Sequence, residues 1–172
     1  MQKIYQGELL KIIQSDFSPQ ELREKLDNYH CSDVADALEQ VTTEKRLYIY
    51  SVIGLSHTAE IFSFYENVED YIKELSPEYA AELLECMHSD EAVDVLNELD
   101  EGHKNKLIDL MDEEAQESVK RIDSYSEDMI GSYMTDNYIS ISATYSVKTA
   151  TAQMIREAGE HDNIFTLYVV GD

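Results

Sequence analysis

From about residue 3 to residue 123, apolar residues recur at helical spacing between well-marked starts, which predicts a series of short amphipathic helices. Ser18-Pro19-Gln20-Glu21 offers an N-cap, a proline at the first helical position and a capping-box glutamate. Ser76-Pro77-Glu78 repeats this start, and Ser89-Asp90-Glu91 gives a cap followed by two acids that the helix dipole favours. With only two prolines and six glycines, few segments are left for long loops.

Four stretches of this helical part resemble one another, because each has small residues, an acid and then apolar residues. They are DVADAL (33–38), HTAEIF (57–62), EYAAELL (78–84) and EAVDVL (91–96). Their acids, Asp36, Glu60, Glu82 and Asp94, are separated by 24, 22 and 12 residues. A period of about 12 residues for one helix, or about 24 for a helical hairpin, predicts an α-solenoid whose units bury their apolar faces against their neighbours.

The pattern changes near residue 125. YISIS (138–142) alternates apolar and polar residues as a half-buried strand does, and SVKTATAQMIREA (146–158) predicts a capped amphipathic helix. IFTLYVVGD (164–172) predicts a strand that is buried on both sides. A strand-helix-strand piece of about 35 residues cannot close a core alone. We therefore expect it to depend on further sequence or on a partner.

The charge of the chain excludes several classes of partner. Lys and Arg number 13 and Asp and Glu number 36, so the formal net charge is −23. Nucleic acids and anionic lipid headgroups bind basic surfaces, and this chain would repel them. Cations and basic protein surfaces are the expected partners. Six carboxylates and no Lys or Arg lie in residues 87–103, MHSDEAVDVLNELDEGH.

The cysteines and the apolar runs restrict the chemistry further. Cys31 and Cys86 lie far apart and form no ligand motif, so we expect them to be reduced thiols in the core. The longest mostly apolar run, LYIYSVIGL (47–55), is much shorter than the ~20 residues that span a bilayer, and no direct membrane insertion is expected. The five histidines include no HExxH motif and are expected in loops and caps.

Two stretches together carry a family resemblance. Repeats of the form SPEYAAELLECMHSDEAVDVLNEL, followed by YSEDMIGSYMT, resemble the cytoplasmic part of MgtE-type magnesium transporters. In that family an acidic helical N domain continues through a Y-x-E-D-x-x-G-x-x-M-T junction into a pair of CBS domains. The junction residues are Tyr125, Glu127, Asp128, Gly131, Met134 and Thr135. The chain departs from the family pattern at Cys31, where a proline commonly follows the histidine, and at Ile130 and Ser132 of the junction.

The resemblance implies both a fold and a domain organisation. The fold is mainly α, a right-handed superhelical α-solenoid of short helices followed by a partial α/β CBS module. An acidic superhelical N domain would cover residues 1–124, the junction residues 125–135, and the first half of a CBS domain residues 136–172.

The resemblance also implies a function. The chain would be the cytoplasmic Mg²⁺-sensing regulatory region of a magnesium transporter or channel, at the cytoplasmic face of the cell membrane. Mg²⁺ would bridge acidic N-domain and CBS surfaces and thereby gate transport. The partners implied are Mg²⁺, the CBS and transmembrane regions of a full-length transporter, and a second copy of the chain in a homodimer.

Three carboxylates are the candidate metal ligands. By motif position, the resemblance carries the family's N-domain ligands over to Glu60 of HTAEIF and to Asp90 and Asp94 of SDEAVD. Mg²⁺ is usually held by one or two carboxylates and several retained waters, and Asp90 and Asp94 lie one helical turn apart on one face. Without a metal, Asp90 would favour a helix N-terminus and Asp94 would be a solvated surface acid.

A second function remains open at this point. An acidic helical scaffold could bind a basic protein partner without metal, since the helical repeats also resemble the middle domains of flagellar motor switch proteins. An enzyme is not expected, because the sequence contains no nucleophile elbow, P-loop or GxGxxG motif.

Overall fold

A computed structural model of the chain describes residues 2–125, 129, 138–157 and 167–171, with side chains from residue 6 onward. Ten helices occupy residues 2–125: α1 (Gln2–Gln14), α2 (Pro19–Leu26), α3 (Cys31–Leu38), α4 (Thr43–Ile53), α5 (Leu55–Phe62), α6 (Val68–Ile72), α7 (Pro77–Glu85), α8 (Ser89–Asn97), α9 (Glu101–Leu110) and α10 (Glu113–Asp123). The remaining elements are β1 (Ile139–Ser142), α11 (Val147–Glu157) and β2 (Leu167–Val170).

Alternate helices of the first part stack on one another in two rows. In one row α1 packs on α3, α3 on α5, α5 on α7 and α7 on α9. In the other, α2 packs on α4 and α8 on α10. The helices α3, α5, α7 and α9 begin at residues 31, 55, 77 and 101, so the spacing is 22–24 residues. The predicted hairpin period and the mainly α solenoid are both confirmed.

Small side chains and a few aromatic rings fill the interior between the rows. Ala35, Ala59 and Ala81 are each at most 3% exposed, and such short side chains let neighbouring helices approach closely. Tyr50 and Phe62 are among the largest fully buried side chains. The hydroxyl groups of Tyr50 and Tyr65 lie 2.6 Å apart, which satisfies both polar groups inside the core.

A buried ion pair connects α4 to the segment that follows α6. Arg46 is 6% exposed and pairs with Glu74, and its guanidinium lies 4.8 Å from the ring centroid of Tyr71. The same guanidinium donates to the backbone carbonyl groups of Leu38 and Val41 beyond the end of α3. One arginine therefore holds the end of α3, helix α4 and the segment after α6 together.

The sequence signals for helix starts agree with the structure, with one shift. The side chain of Ser18 caps α2 in a complete capping box with Glu21, and Ser76 caps α7 by accepting from the backbone N–H of Tyr79. The cap predicted at Ser89 is displaced, because His88 has the extended backbone of an N-cap and Ser89 is already helical. Asp90 is therefore the second residue of α8.

The last elements form a parallel strand-helix-strand unit, as the alternation predicts. β1 pairs with β2 in the register Ile139↔Leu167 to Ser142↔Val170, and α11 packs on β1. Ile139 and Ile141 of β1 are buried. The prediction that β2 is buried on both sides was wrong, since Val169 is 65% exposed and β1 is the strand that pairs with β2 among the described residues.

Candidate metal-binding surface

The three predicted ligands lie on two helices that share a neighbour. Glu60 lies on α5 and is exposed, while Asp90 and Asp94 lie on α8, where Asp90 is half-buried and Asp94 exposed. Both helices pack against α7. The hydroxyl of Ser63, directly after α5, donates to Glu91 Oε2 at 2.9 Å. This hydrogen bond brings the C-terminal end of α5 to the first turn of α8.

The carboxylate of Asp90 has an unusual environment. Its Oδ1 is buried and accepts no hydrogen bond within the part of the chain that the structure describes. Asp90 lies in the first turn of α8, where the side chain of the N-cap residue His88 makes no capping hydrogen bond. A buried polar atom without a partner costs roughly 1–3 kcal/mol, and more when the group is charged. A cation bound to this carboxylate would offset that cost, which is compatible with the ligand role predicted for Asp90.

Other acids of residues 87–103 already have partners or solvent. Asp100 caps α9 by accepting from the backbone N–H groups of Gly102 and His103, at 3.0 and 3.1 Å. Its side-chain hydrogen bond to His103 is the main cause that lowers the pKa of Asp100. Glu98 and Glu101 are exposed. Asp90 therefore differs from these neighbours in having a desolvated oxygen that remains to be neutralised.

Glu60 is brought together with a different pair of side chains. Cys31, His57 and Glu60 form a group whose potential ligand atoms all lie within 4.8 Å of one another. Among the described residues, Glu60, Asp90 and Asp94 do not form a group of that kind. A hydrated Mg²⁺ keeps several waters and can reach carboxylates through them, so the shared site of these three residues stays a prediction.

The thiol of Cys31 lies against Glu60. Its Sγ donates to Glu60 Oε2 at 3.1 Å. Burial, with Glu60 as the next cause, raises the pKa of the Cys31 thiol to about 12. The thiol is half-buried, and Cys86 is exposed, so the expectation that both cysteines lie in the core was wrong.

Sequence reasoning missed the grouping of Cys31 with His57 and Glu60. The predicted cap role is confirmed for His30, whose Nδ1 accepts from the backbone N–H of Ser32. His57 instead lies inside α5, three residues before Glu60. An H-x-x-E spacing on one helix places both side chains on one face, and this signal was available in the sequence.

The chain matches one protein family over more than half of its length. Residues 29–128 match the family described as the MgtE intracellular N domain. The chain belongs to this family. The MgtE resemblance drawn from the repeats and the junction is therefore confirmed, and so is the intracellular location that it implied for the N domain.

Two curated relatives are magnesium transporters named MgtE. The one from Thermus thermophilus is 27% identical over 156 residues, which cover 88% of this chain and 35% of the relative. The one from Enterococcus faecalis is 30% identical over 154 residues, which cover 87% of this chain and 34% of the relative. The chain thus spans about a third of the length of the MgtE transporters that it matches.

Solved structures of two magnesium transport proteins have the same fold. The soluble part of a magnesium transporter superposes with a TM-score of 0.85 at 27% identity, over 100% of this chain and 68% of that one. The cytosolic domain of the Mg²⁺ channel MgtE, in complex with ATP, superposes with a TM-score of 0.76 at 26% identity. This match covers 89% of this chain and 64% of that one. Within the described residues of this MgtE family member, no helix is both long and apolar enough to cross a membrane.

Proposed function

We propose that the chain is the Mg²⁺-sensing regulatory region of a magnesium transporter, with Glu60, Asp90 and Asp94 as N-domain ligands. The observation that carries the proposal is the buried and unpaired Oδ1 of Asp90, in a chain of the MgtE family. Three carboxylates supply only oxygen ligands, which suit a hard ion such as Mg²⁺ better than a thiophilic one.

The negative charge of the chain explains how binding of a metal ion could change the conformation. At a formal net charge of −23, acidic surfaces of the N domain and of a facing CBS region repel each other when no cation lies between them. Mg²⁺ held at Asp90 and Asp94 would reduce that repulsion and allow the surfaces to approach. Loss of the ion would separate them, and this change in separation is the signal passed to the transport pathway.

The proposal includes a domain organisation and a set of partners. Residues 1–124 form the N domain, 125–135 the junction and 136–172 the first half of a CBS domain. Residues 126–128 and 130–137, with most of the junction, lie outside the described residues. The remaining CBS and transmembrane regions of a full-length transporter, and a second copy in a homodimer, are the proposed partners. The role is regulatory, without catalysis.

Thermal unfolding of the 172-residue chain tests the proposal. MgCl₂ is compared with NaCl at matched ionic strength, because screening of a large charge by any salt also stabilises the chain. We expect Mg²⁺ to raise the unfolding midpoint above that in NaCl, since an ion that binds only the folded state stabilises it in proportion to RT ln(1 + [L]/Kd).

A matched pair of variants assigns that response to residues. Asp90→Asn with Asp94→Asn should abolish the Mg²⁺-specific part of the shift. Glu78→Gln with Glu82→Gln removes the same charge at the same i,i+4 spacing from the exposed surface of α7 and should leave the response intact. Equal responses of the two double variants would reject Asp90 and Asp94 as ligands. No Mg²⁺-specific response in any chain would favour the acidic scaffold without metal.

A further inference from the structure

We propose that Cys31, His57 and Glu60 form a second metal site, which takes a borderline-soft divalent ion of the Zn²⁺ class. The three side chains offer a thiolate, an imidazole and a carboxylate, with ligand atoms within 4.8 Å of one another. This donor set differs from the oxygen-only set of Glu60, Asp90 and Asp94, with which it shares Glu60. Its geometry does not depend on the proposed Mg²⁺-sensing function.

The backbone holds the three ligands at one junction between stacked helices. Cys31 is the first residue of α3, and His57 and Glu60 lie three residues apart on α5, which packs on α3. Because the ligands come from two packed helices, their separation is fixed by the fold rather than by a loop.

The group is compact enough to form a tetrahedral zinc site after small side-chain movements. Cys31 Sγ and Glu60 Oε2 lie 3.1 Å apart. Bonds of about 2.0–2.3 Å at tetrahedral angles separate the ligand atoms by about 3.5 Å. The three ligand atoms already lie within 4.8 Å of one another without an ion. Side-chain rotations of the exposed Glu60 and the half-buried His57 would therefore be enough to bring them to bonding distance from one ion.

The surroundings supply an outer partner and an open position. His57 Nδ1 lies 3.8 Å from Asp27 Oδ1, which is beyond hydrogen-bond distance. A ring that bound metal through Nε2 could turn its Nδ1–H toward this carboxylate, as outer partners of metal-binding histidines do. A small pocket beside the group is lined by Asp27, Tyr29, Cys31 and His57 together with aliphatic side chains of the core. Three protein ligands leave a fourth position, which a water in this pocket would occupy.

The chemistry selects the ion. Sulfur and imidazole ligands favour Zn²⁺ and similar transition ions, whereas Mg²⁺ requires oxygen ligands. When Zn²⁺ binds, the Cys31 thiol loses its proton to solvent and the S–H bond is replaced by a Zn–S bond, with no change of oxidation state. If Glu60 also serves the proposed Mg²⁺ site, then Zn²⁺ withdraws it from that site, a consequence that rests on the proposed function.

Titration of the full chain, free of any affinity tag, with Zn²⁺ tests the site. We expect one tightly bound ion per chain. Cys31→Ser and His57→Ala should each weaken binding at least about tenfold, since loss of even an outer partner of a metal site costs about 10–100-fold. Cys86→Ser and His103→Ala, which change an exposed residue of the same type, should bind as the wild-type chain does. Asp90→Asn with Asp94→Asn should also retain Zn²⁺ binding, which separates this site from the Mg²⁺ site.

Two further measurements use the wild-type chain, so they test the proposal even if a variant fails to fold. Co²⁺ in the wild-type chain should give a thiolate-to-metal charge-transfer band that persists in Cys86→Ser. Zn²⁺ should protect Cys31, and not Cys86, from alkylation in the wild-type chain. Absence of one-to-one binding, a band that survives Cys31→Ser, or equal alkylation of Cys31 with and without Zn²⁺ would overturn the proposal.

Discussion

Arg46 and Glu74 form a two-pronged ion pair, in which Nε donates to Oε2 at 2.8 Å and Nη2 donates to Oε1 at 2.9 Å. Glu74 also accepts from the hydroxyl of Thr43 at 2.8 Å. The pair is almost fully desolvated on the arginine side, where the side chain is 7% exposed. Its integrity therefore governs how firmly α4 is held to the chain that leads into α7.

Removing one partner of this pair should destabilise the chain strongly. Glu74→Ala leaves the guanidinium of Arg46 buried without its counter-charge, and we expect a loss of about 3 kcal/mol in the free energy of unfolding. Urea unfolding measures the change. Glu69→Ala is the matched control, because it breaks the exposed i,i+4 pair with Lys73 and should leave the unfolding midpoint nearly unchanged. Similar losses in the two variants would contradict the assigned role of Arg46.

The same pair predicts an acid-dependent loss of stability. The hydrogen bonds from Arg46 are the main cause that lowers the pKa of Glu74 in the folded chain. A lowered folded-state pKa contributes stability that is present above the unfolded pKa, near 4.5, and is lost as the pH falls through the folded pKa. The difference in unfolding free energy between the wild-type chain and Glu74→Gln should therefore shrink below about pH 4.5. A constant difference from pH 7 to pH 3 would contradict this linkage.

The buried hydroxyl pair of Tyr50 and Tyr65 predicts non-additive mutational effects. Tyr65→Phe leaves the Tyr50 hydroxyl buried without its partner and should cost about 1–3 kcal/mol. Tyr50→Phe with Tyr65→Phe removes both hydroxyls and should cost less than the sum of the two single variants. Chemical unfolding of the three variants measures the coupling. Strictly additive losses would show that the 2.6 Å contact contributes nothing to stability.

The unpaired oxygen of Asp90 predicts a stabilising substitution when no divalent ion is present. Asp90→Asn loses the attraction of a first-turn acid to the helix dipole, about 0.3–1 kcal/mol. It also replaces a charged group, whose Oδ1 is buried without a partner, by a neutral amide that costs less to leave unpaired, so the net effect should be a gain. Thermal unfolding in chelator measures it. Glu78→Gln in the first turn of α7 loses only the dipole interaction and should not stabilise the chain.

A fall in the midpoint of Asp90→Asn comparable to that of Glu78→Gln would contradict the prediction. It would mean that solvent satisfies Oδ1 of Asp90, and the structural support for a cation there would be lost. The comparison is independent of any measurement in Mg²⁺.

The sequence was sufficient for features that depend on neighbours along one helix. Caps at Ser18 and Ser76 use side chains within three residues of the groups that they satisfy, so their patterns are visible in the sequence. The hairpin period was also visible, since each repeat must present an apolar face to the next. The shift of the α8 cap from Ser89 to His88 is a displacement by one residue.

Features that depend on stacking were beyond the same reasoning. Cys31 contacts Glu60 across 29 residues, and Arg46 contacts Glu74 across 28, because packed helices bring together positions that no local spacing relates. The exposure of β2 was missed for the same reason, because the sequence of a strand does not show which other elements pack on its two faces. The helical periodicity predicted which carboxylates lie on helix surfaces. It did not predict which side chains each carboxylate contacts, because those contacts depend on how the helices pack.

Helix α7 packs against both helices that carry the candidate ligands, α5 and α8. Its buried face includes Ala80 and Ala81, whose short side chains allow neighbouring helices to approach closely. Ser63, directly after α5, also donates to Glu91 of α8. The distance between Glu60 and Asp90 therefore depends on how α5, α7 and α8 pack together. A change in the tilt of α7 would alter that distance while leaving helices that it does not contact in place, and ions that prefer different separations would strain this packing differently.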